Sequence, residues 1–184
     1  DALKKLEVDA KNAGWESYEE KKLANKKGID NPKEYKASLI DFALDCNFRG
    51  QKYIVISVSG RPSFISDNPK NPSEIKVIEL KKTKETAEDY EFEPTASTTF
   101  NGRTVRNLNI NRQKLYMMFW DYPDGKPYYA SNDLIAYLSC SLAKDGPATL
   151  DKVNALLDAK INYIKNQQED ERKKEVENRK NAKI

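Results

Sequence analysis

Ile40-Asp41-Phe42-Ala43-Leu44-Asp45-Cys46-Asn47-Phe48 is the stretch that decides the fold class. Ile40, Phe42, Leu44, Cys46 and Phe48 alternate with Asp41, Ala43, Asp45 and Asn47. A helix turns about 100° per residue and would scatter these apolar positions around its axis, whereas a strand places every second side chain on one face. The stretch therefore reads as a half-buried strand. Arg49-Gly50-Gln51-Lys52 follows as a turn, and residues 53–59, apolar and rich in β-branched side chains, return as the second strand of an antiparallel hairpin.

Further strands follow toward the C-terminus. Gly60-Arg61-Pro62 closes the hairpin, and the Asn-, Pro- and Ser-rich residues 66–73 read as an exposed loop. Residues 75–80 form a third strand and residues 90–93 a short fourth. Asn101-Gly102 is the strongest short hairpin signal in the chain, because both residues tolerate the positive φ that a tight reverse turn requires. It places strands near residues 95–100 and 103–110. Residues 115–122 are the most apolar strand, and Pro123-Asp124-Gly125-Lys126 turns them back into residues 127–130.

The pattern then changes. Ser131 or Asn132 can cap a helix over residues 133–143, which Lys144-Asp145-Gly146 ends. A second helix starts at Pro147, its stripe formed by Leu150, Val153, Leu157, Ile161 and Ile164 at spacings of three and four. On the N-terminal side, residues 1–27 carry a loose helical period broken at Ala13-Gly14 and stopped by Gly28, Asn31 and Pro32. The expectation is an α+β fold: an antiparallel sheet of about five to seven strands across residues 37–130, an N-terminal helical segment over residues 1–30, and two C-terminal helices. Residues 1–164 form one domain. Residues 165–184, with seven basic and five acidic side chains and almost no apolar ones, form a charged tail, helical or disordered.

Composition narrows the chemistry. There is no histidine in 184 residues, which removes Ser-His-Asp and Cys-His catalysis, His-Glu-x-x-His metalloproteases and histidine-ligated metals. No metal or cofactor is expected. The charge of +3 is the small difference between 32 basic and 29 acidic side chains, so any charge-driven binding must be local. The longest apolar runs are far short of the roughly 18 to 20 residues of a membrane-spanning helix. Cys46 and Cys140 permit one disulfide, or two buried thiols.

Several motifs lose to simpler explanations. Ser141-Leu142-Ala143-Lys144 matches a Ser-x-x-Lys nucleophile pattern but lacks its companion motifs and falls at the end of its expected helix, where the dipole opposes a developing anion. Asp41 and Asp45 share a strand face about 13 Å apart, too far for either glycosidase geometry. The Asp121 to Gly125 run lacks the ligand alternation of a calcium loop. One constellation carries more. The strand over residues 115–122 is apolar on both faces, one bearing Leu115, Met117 and Phe119 and the other Tyr116, Met118, Trp120 and Tyr122. Cover by the two C-terminal helices explains this, as for a core strand. The alternative is a binding platform of Tyr116, Trp120, Tyr122, Tyr128 and Tyr129 with Arg103, Arg106 and Arg112, since aromatic faces beside arginines stack on nucleobases or sugars.

Asp1-Ala2-Leu3 opens without a methionine or an apolar leader, as a mature exported chain would, or equally a trimmed fragment. The functional expectation is a non-enzymatic, exported bacterial protein, periplasmic or secreted, that binds a protein or cell-envelope partner. The alternative is a cytoplasmic module that binds single-stranded nucleic acid on the aromatic and arginine face.

Overall fold

The computed structural model describes residues 1–122 and 133–183. Three helices open the chain: α1 (Ala2–Asn12), α2 (Tyr18–Lys26) and α3 (Pro32–Leu39). Ser17 and Asn31 cap the second and third with side-chain oxygens that accept from Glu20 and Glu34 N–H. Their small shared core is Ala10, Trp15, Ala24 and Tyr35. Ten strands follow among the described residues: β1 (Ile40–Phe48), β2 (Gln51–Val58), β3 (Arg61–Ser66), β4 (Val77–Glu85), β5 (Asp89–Pro94), β6 (Thr99–Phe100), β7 (Arg103–Thr104), β8 (Asn107–Asn111), β9 (Tyr116–Trp120) and β10 (Leu134–Leu142). The chain then runs into one long helix, α4 (Gly146–Asn181).

Eight of the strands close into an antiparallel barrel in the order β1-β10-β9-β8-β5-β4-β3-β2, and β6 and β7 form a separate hairpin. Apart from β5 and β8, which the β6–β7 hairpin separates, barrel neighbours are adjacent in the chain, and the last strand seals against the first, which leaves no open edge. Three tight turns help set the register. Arg49-Gly50, Ser59-Gly60 and Asn101-Gly102 each have positive φ at both residues, the conformation that matches the twist of a two-residue hairpin. Asp41 supports the second of these by accepting from Ser57 Oγ at 2.7 Å and Gly60 N at 2.8 Å.

The closed barrel overturns the expected sheet of five to seven strands with two C-terminal helices. The decisive error is residues 133–143, expected as a helix: Leu134–Leu142 is the strand β10, paired with both β9 and β1. It has three leucines and Ile135 as its only β-branched residue, and this favoured a helix. The alternation was nevertheless there, since Ala136 and Leu138 are buried while Tyr137, Ser139 and Ser141 are exposed. A register shift between Leu134 and Ala136 breaks the period at the start of the strand, where Ile135 and Ala136 are both buried. Strand β3 and helix α3 were also missed, because Gly60-Arg61-Pro62 and Pro32 read only as stops. The expected strand over residues 127–130 lies outside the described residues.

Apolar side chains fill the barrel interior. Leu44, Val55, Phe64, Ile78, Phe92, Leu108, Met117, Phe119 and Leu138 point into it, with Cys46 and Tyr53 toward one end. Helix α4 covers the outer wall of β1, β2 and β3, where Leu150, Val153, Leu156 and Leu157 meet Ala43, Ile54, Ile56, Ile65 and Ile75. Asp145 caps its first turn by accepting from Ala148 N–H and also pairs with Lys33, and these two contacts, in that order, hold its carboxyl below the usual aspartate range. Ion pairs from Lys36 to Asp151 at 2.8 Å and from Lys152 to Asp67 at 2.7 Å tie the helix to α3 and to the end of β3.

Beyond Ala159 no residue of α4 belongs to a packed cluster, and Ile161 and Ile164 are 49% and 43% exposed. The helix nonetheless continues to Asn181, its exposed surface carrying pairs such as Glu169 with Arg172 and Glu175 with Arg179. Residues 165–181 form an arm about 25 Å long at 1.5 Å per residue. No helix is long and apolar enough to cross a membrane among the described residues.

Candidate functional site

The two ends of the barrel are built differently. At one end the strand connections are short: Ser59-Gly60, residues 86–88 and residues 112–115. The other end has the Arg49-Gly50 turn and, among the described residues, the long connections 67–76 and 95–106, the latter with the β6–β7 hairpin. Helix α4 starts at the short-turn end, where Gly146 lies against Ile40. It then passes Asp67 through Lys152 and Lys76 through Lys160, so its free arm extends past the long-loop end. Long connections on a rigid scaffold are where binding residues concentrate.

The β6–β7 hairpin closes this end like a stopper. Phe100 sits among Phe48, Tyr53, Phe64 and Phe119, its ring centroid 5.4, 5.6, 5.7 and 4.7 Å from theirs. Asn101 Nδ2 donates to the Ile135 carbonyl at 3.2 Å and ties the hairpin tip to β10. Beside the stopper is a cleft of about 630 Å³, floored by Tyr53 and Phe100 and walled by Lys52, Asp67, Glu74 and Lys76. This volume falls in the range of roughly 300 to 1,000 Å³ usual for small-molecule sites, and barrel mouths are a common place for them.

The charges in the cleft are unequally satisfied. Asp67 is bound to Lys152, and Glu74 accepts from Asn68 Nδ2 at 3.4 Å. Among the described residues, neither Lys52 nor Lys76 is in an ion pair. Burial first, and then the positive charge of Lys160, lower the Lys76 pKa. Tyr53 donates its hydroxyl to Gln51 Oε1 at 2.7 Å, and burial raises its pKa. A second cleft, of about 460 Å³, shares Lys52, Tyr53 and Asp67 with the first and runs along the outer wall past Asp45, Ser139 and Ser141. Cys46 and Cys140 line it and are joined as a disulfide between directly opposed residues of β1 and β10. No group of three or more carboxylates and cysteines able to hold a metal occurs among the described residues.

Of the aromatic and arginine residues singled out from sequence, Arg103, Arg106, Trp120 and Tyr122 come together around Asp121, with the Trp120 and Tyr122 rings 6.4 Å apart, while Arg112 and Tyr116 lie toward the other end of the barrel. Arg103 and Arg106 both bind Asp121, at 3.3 and 3.2 Å. Arg112 lies at the opposite end of β8, stacked on Tyr90 and donating to the Thr86 carbonyl at 2.6 Å. Trp120 is 6% exposed and donates its indole N–H to Asn109 Oδ1 at 2.7 Å, and Tyr122 is 4% exposed. Tyr116 stacks beside Tyr137 at 5.2 Å on the outer wall. Tyr128 and Tyr129 lie outside the described residues. Helix α4 packs on β1 to β3 and not on β9, so the expected helical cover of the β9 outer face is not provided by either C-terminal segment. Ser141 is in a strand, not at a helix end. Residues Lys52, Tyr53, Lys76 and Phe100 were not singled out, although the Asn101-Gly102 turn and the polar run 66–73 marked their loops.

No family model, curated protein or solved structure matches the chain. An antiparallel barrel hosts many unrelated functions, so function has to be argued from the long-loop end itself.

Proposed function

We propose that this is a non-enzymatic exported protein, periplasmic or secreted, that binds a protein or cell-envelope partner with the long-loop end of its barrel and the arm of α4. The observation that carries this is the convergence of the arm and the connections 67–76 and 95–106 on one end of a barrel whose interior is filled by apolar side chains. Side chains that fill the barrel leave its ends and outer wall as the surfaces for contact. An arm of 17 residues with no packed face does nothing for the stability of the barrel. The Cys46–Cys140 disulfide is compatible with an oxidising, exported location.

The nucleic-acid alternative draws less support. The base-stacking surface it requires would be centred on Trp120, which is buried, and two of its three arginines are already held by Asp121.

Photo-crosslinking from defined positions tests the proposal in the cells that make the protein. Probes at Gln167 on the arm and Asn68 in the β3–β4 connection are expected to give adducts of one common size, and a probe at Thr83, toward the short-turn end, is expected to give none. Equal labelling from all three positions, or none from the first two, contradicts partner binding at this end.

A further inference from the structure

We propose that the cleft beside the β6–β7 stopper is a binding site for a small organic anion: a carboxylate carried on a flat apolar body. This goes beyond partner binding, because it concerns a small molecule and a pocket rather than the arm. The floor is made of Tyr53 and Phe100, which are 7% and 6% exposed, so the small ring surface they leave open to the cleft suits an aromatic or flat aliphatic group. The walls carry two ammonium groups, Lys52 and Lys76, in no ion pair among the described residues.

The electrostatics of Lys76 point the same way. It is half-buried, it faces a second cation in Lys160, and both effects oppose its charge. An anion in the cleft relieves both, since it supplies the charge-assisted hydrogen bonds that burial has removed and offsets the repulsion. Asp67 cannot supply them, being bound to Lys152, and Glu74 is the one other carboxylate on the wall. The balance leaves room for a single negative charge. A dianion without an apolar body would leave the aromatic floor uncovered.

The test is an amide-resolved NMR titration of the full chain with three probes: benzoate, its neutral ring analogue benzyl alcohol, and inorganic phosphate. Benzoate is expected to shift the amides of Lys52, Tyr53, Lys76 and Gly102 saturably, with the other two probes at least about tenfold weaker. Losing charge-assisted hydrogen bonds corresponds to about tenfold or more in affinity. The double variant Lys52→Gln/Lys76→Gln is therefore expected to lose that much, and Lys81→Gln, on the β4 strand away from the cleft, to bind as wild type. No saturable benzoate shift in the millimolar range overturns the assignment, as does equal affinity for benzyl alcohol or phosphate, or unchanged affinity in the double variant. The titration uses the isolated protein, so its outcome is independent of the crosslinking result.

Discussion

Replacing Cys46 and Cys140 together by alanine is expected to lower the stability of the protein by about 4 to 5 kcal/mol. The two residues are 94 positions apart, and in the chain-entropy description a crosslink closing about 100 residues restricts the unfolded ensemble by roughly that amount. This is a large share of the 5 to 15 kcal/mol that holds a typical domain together. For a chain of this length it corresponds to a melting temperature lower by roughly 8 to 20 °C. The bond joins the first barrel strand to the last, so it spans the one barrel seam that no turn connects. The backbone ladder of β1 and β10 remains in the variant, which should still fold, with near-native circular dichroism at low temperature. A variant melting within about 2 °C of wild type would contradict this.

Phe64→Ala is expected to cost about 3 to 5 kcal/mol, the range for truncating a fully buried aromatic ring. Phe64 has no exposed surface and lies where three rings converge: Tyr53 at 4.8 Å, Phe119 at 5.0 Å and Phe100 at 5.7 Å. The cavity left behind cannot collapse easily, because β3 is held by β2 on one side and β4 on the other. Phe100 is the residue most free to respond, as it belongs to a two-strand hairpin outside the barrel ladder. Chemical denaturation should therefore show the loss of stability, and hydrogen exchange should show the amides of residues 99–104 losing protection first. Adding Phe100→Ala should cost less than the sum of the two single changes, since the rings are direct neighbours. Full additivity would show that the hairpin does not depend on the ring packing.

What could be read from the residues follows the strength of their periodicity. Strand β1 was plain because Ile40, Phe42, Leu44, Cys46 and Phe48 recur at every second position and the Arg49-Gly50 turn ends it on time. The C-terminal helix was plain as far as Ile164 because its apolar stripe is regular. Its continuation to Asn181 depends on helix propensity and on charge pairs at spacings of three and four, which leave no stripe to read. Strand β10 was hidden by a bulge and by residues that suit a helix, and without it the barrel could not close. Closure itself has no local signature, since the pairing of β1 with β10 joins positions about 90 residues apart.

The functional end was less legible still. Lys52 and Lys76 belong to a set of 32 basic side chains, and nothing in their immediate sequence separates them from the rest. Their placement together comes from the pairing of β2, β3 and β4 at one end of the barrel. Trp120 and Tyr122 drew notice as large aromatics near arginines, but burial and the Asp121 pairs account for them structurally.

The claim on which the rest stands is that residues 134–142 form the strand that closes the barrel, because a filled, closed barrel is what sends function to the long-loop end. The most direct measurement is the set of nuclear Overhauser contacts from these residues. Cys140 N–H donates to the Leu115 carbonyl just before β9, so Cys46 and Cys140 form a non-hydrogen-bonded pair, with Cα atoms 4.0 Å apart. Strong Hα–Hα contacts are therefore expected between Cys46 and Cys140 and, two residues along, between Leu44 and Leu142. Contacts between residues i and i+3 throughout 134–142, with none to β1, would mean a helix there and an open sheet, and would contradict the barrel.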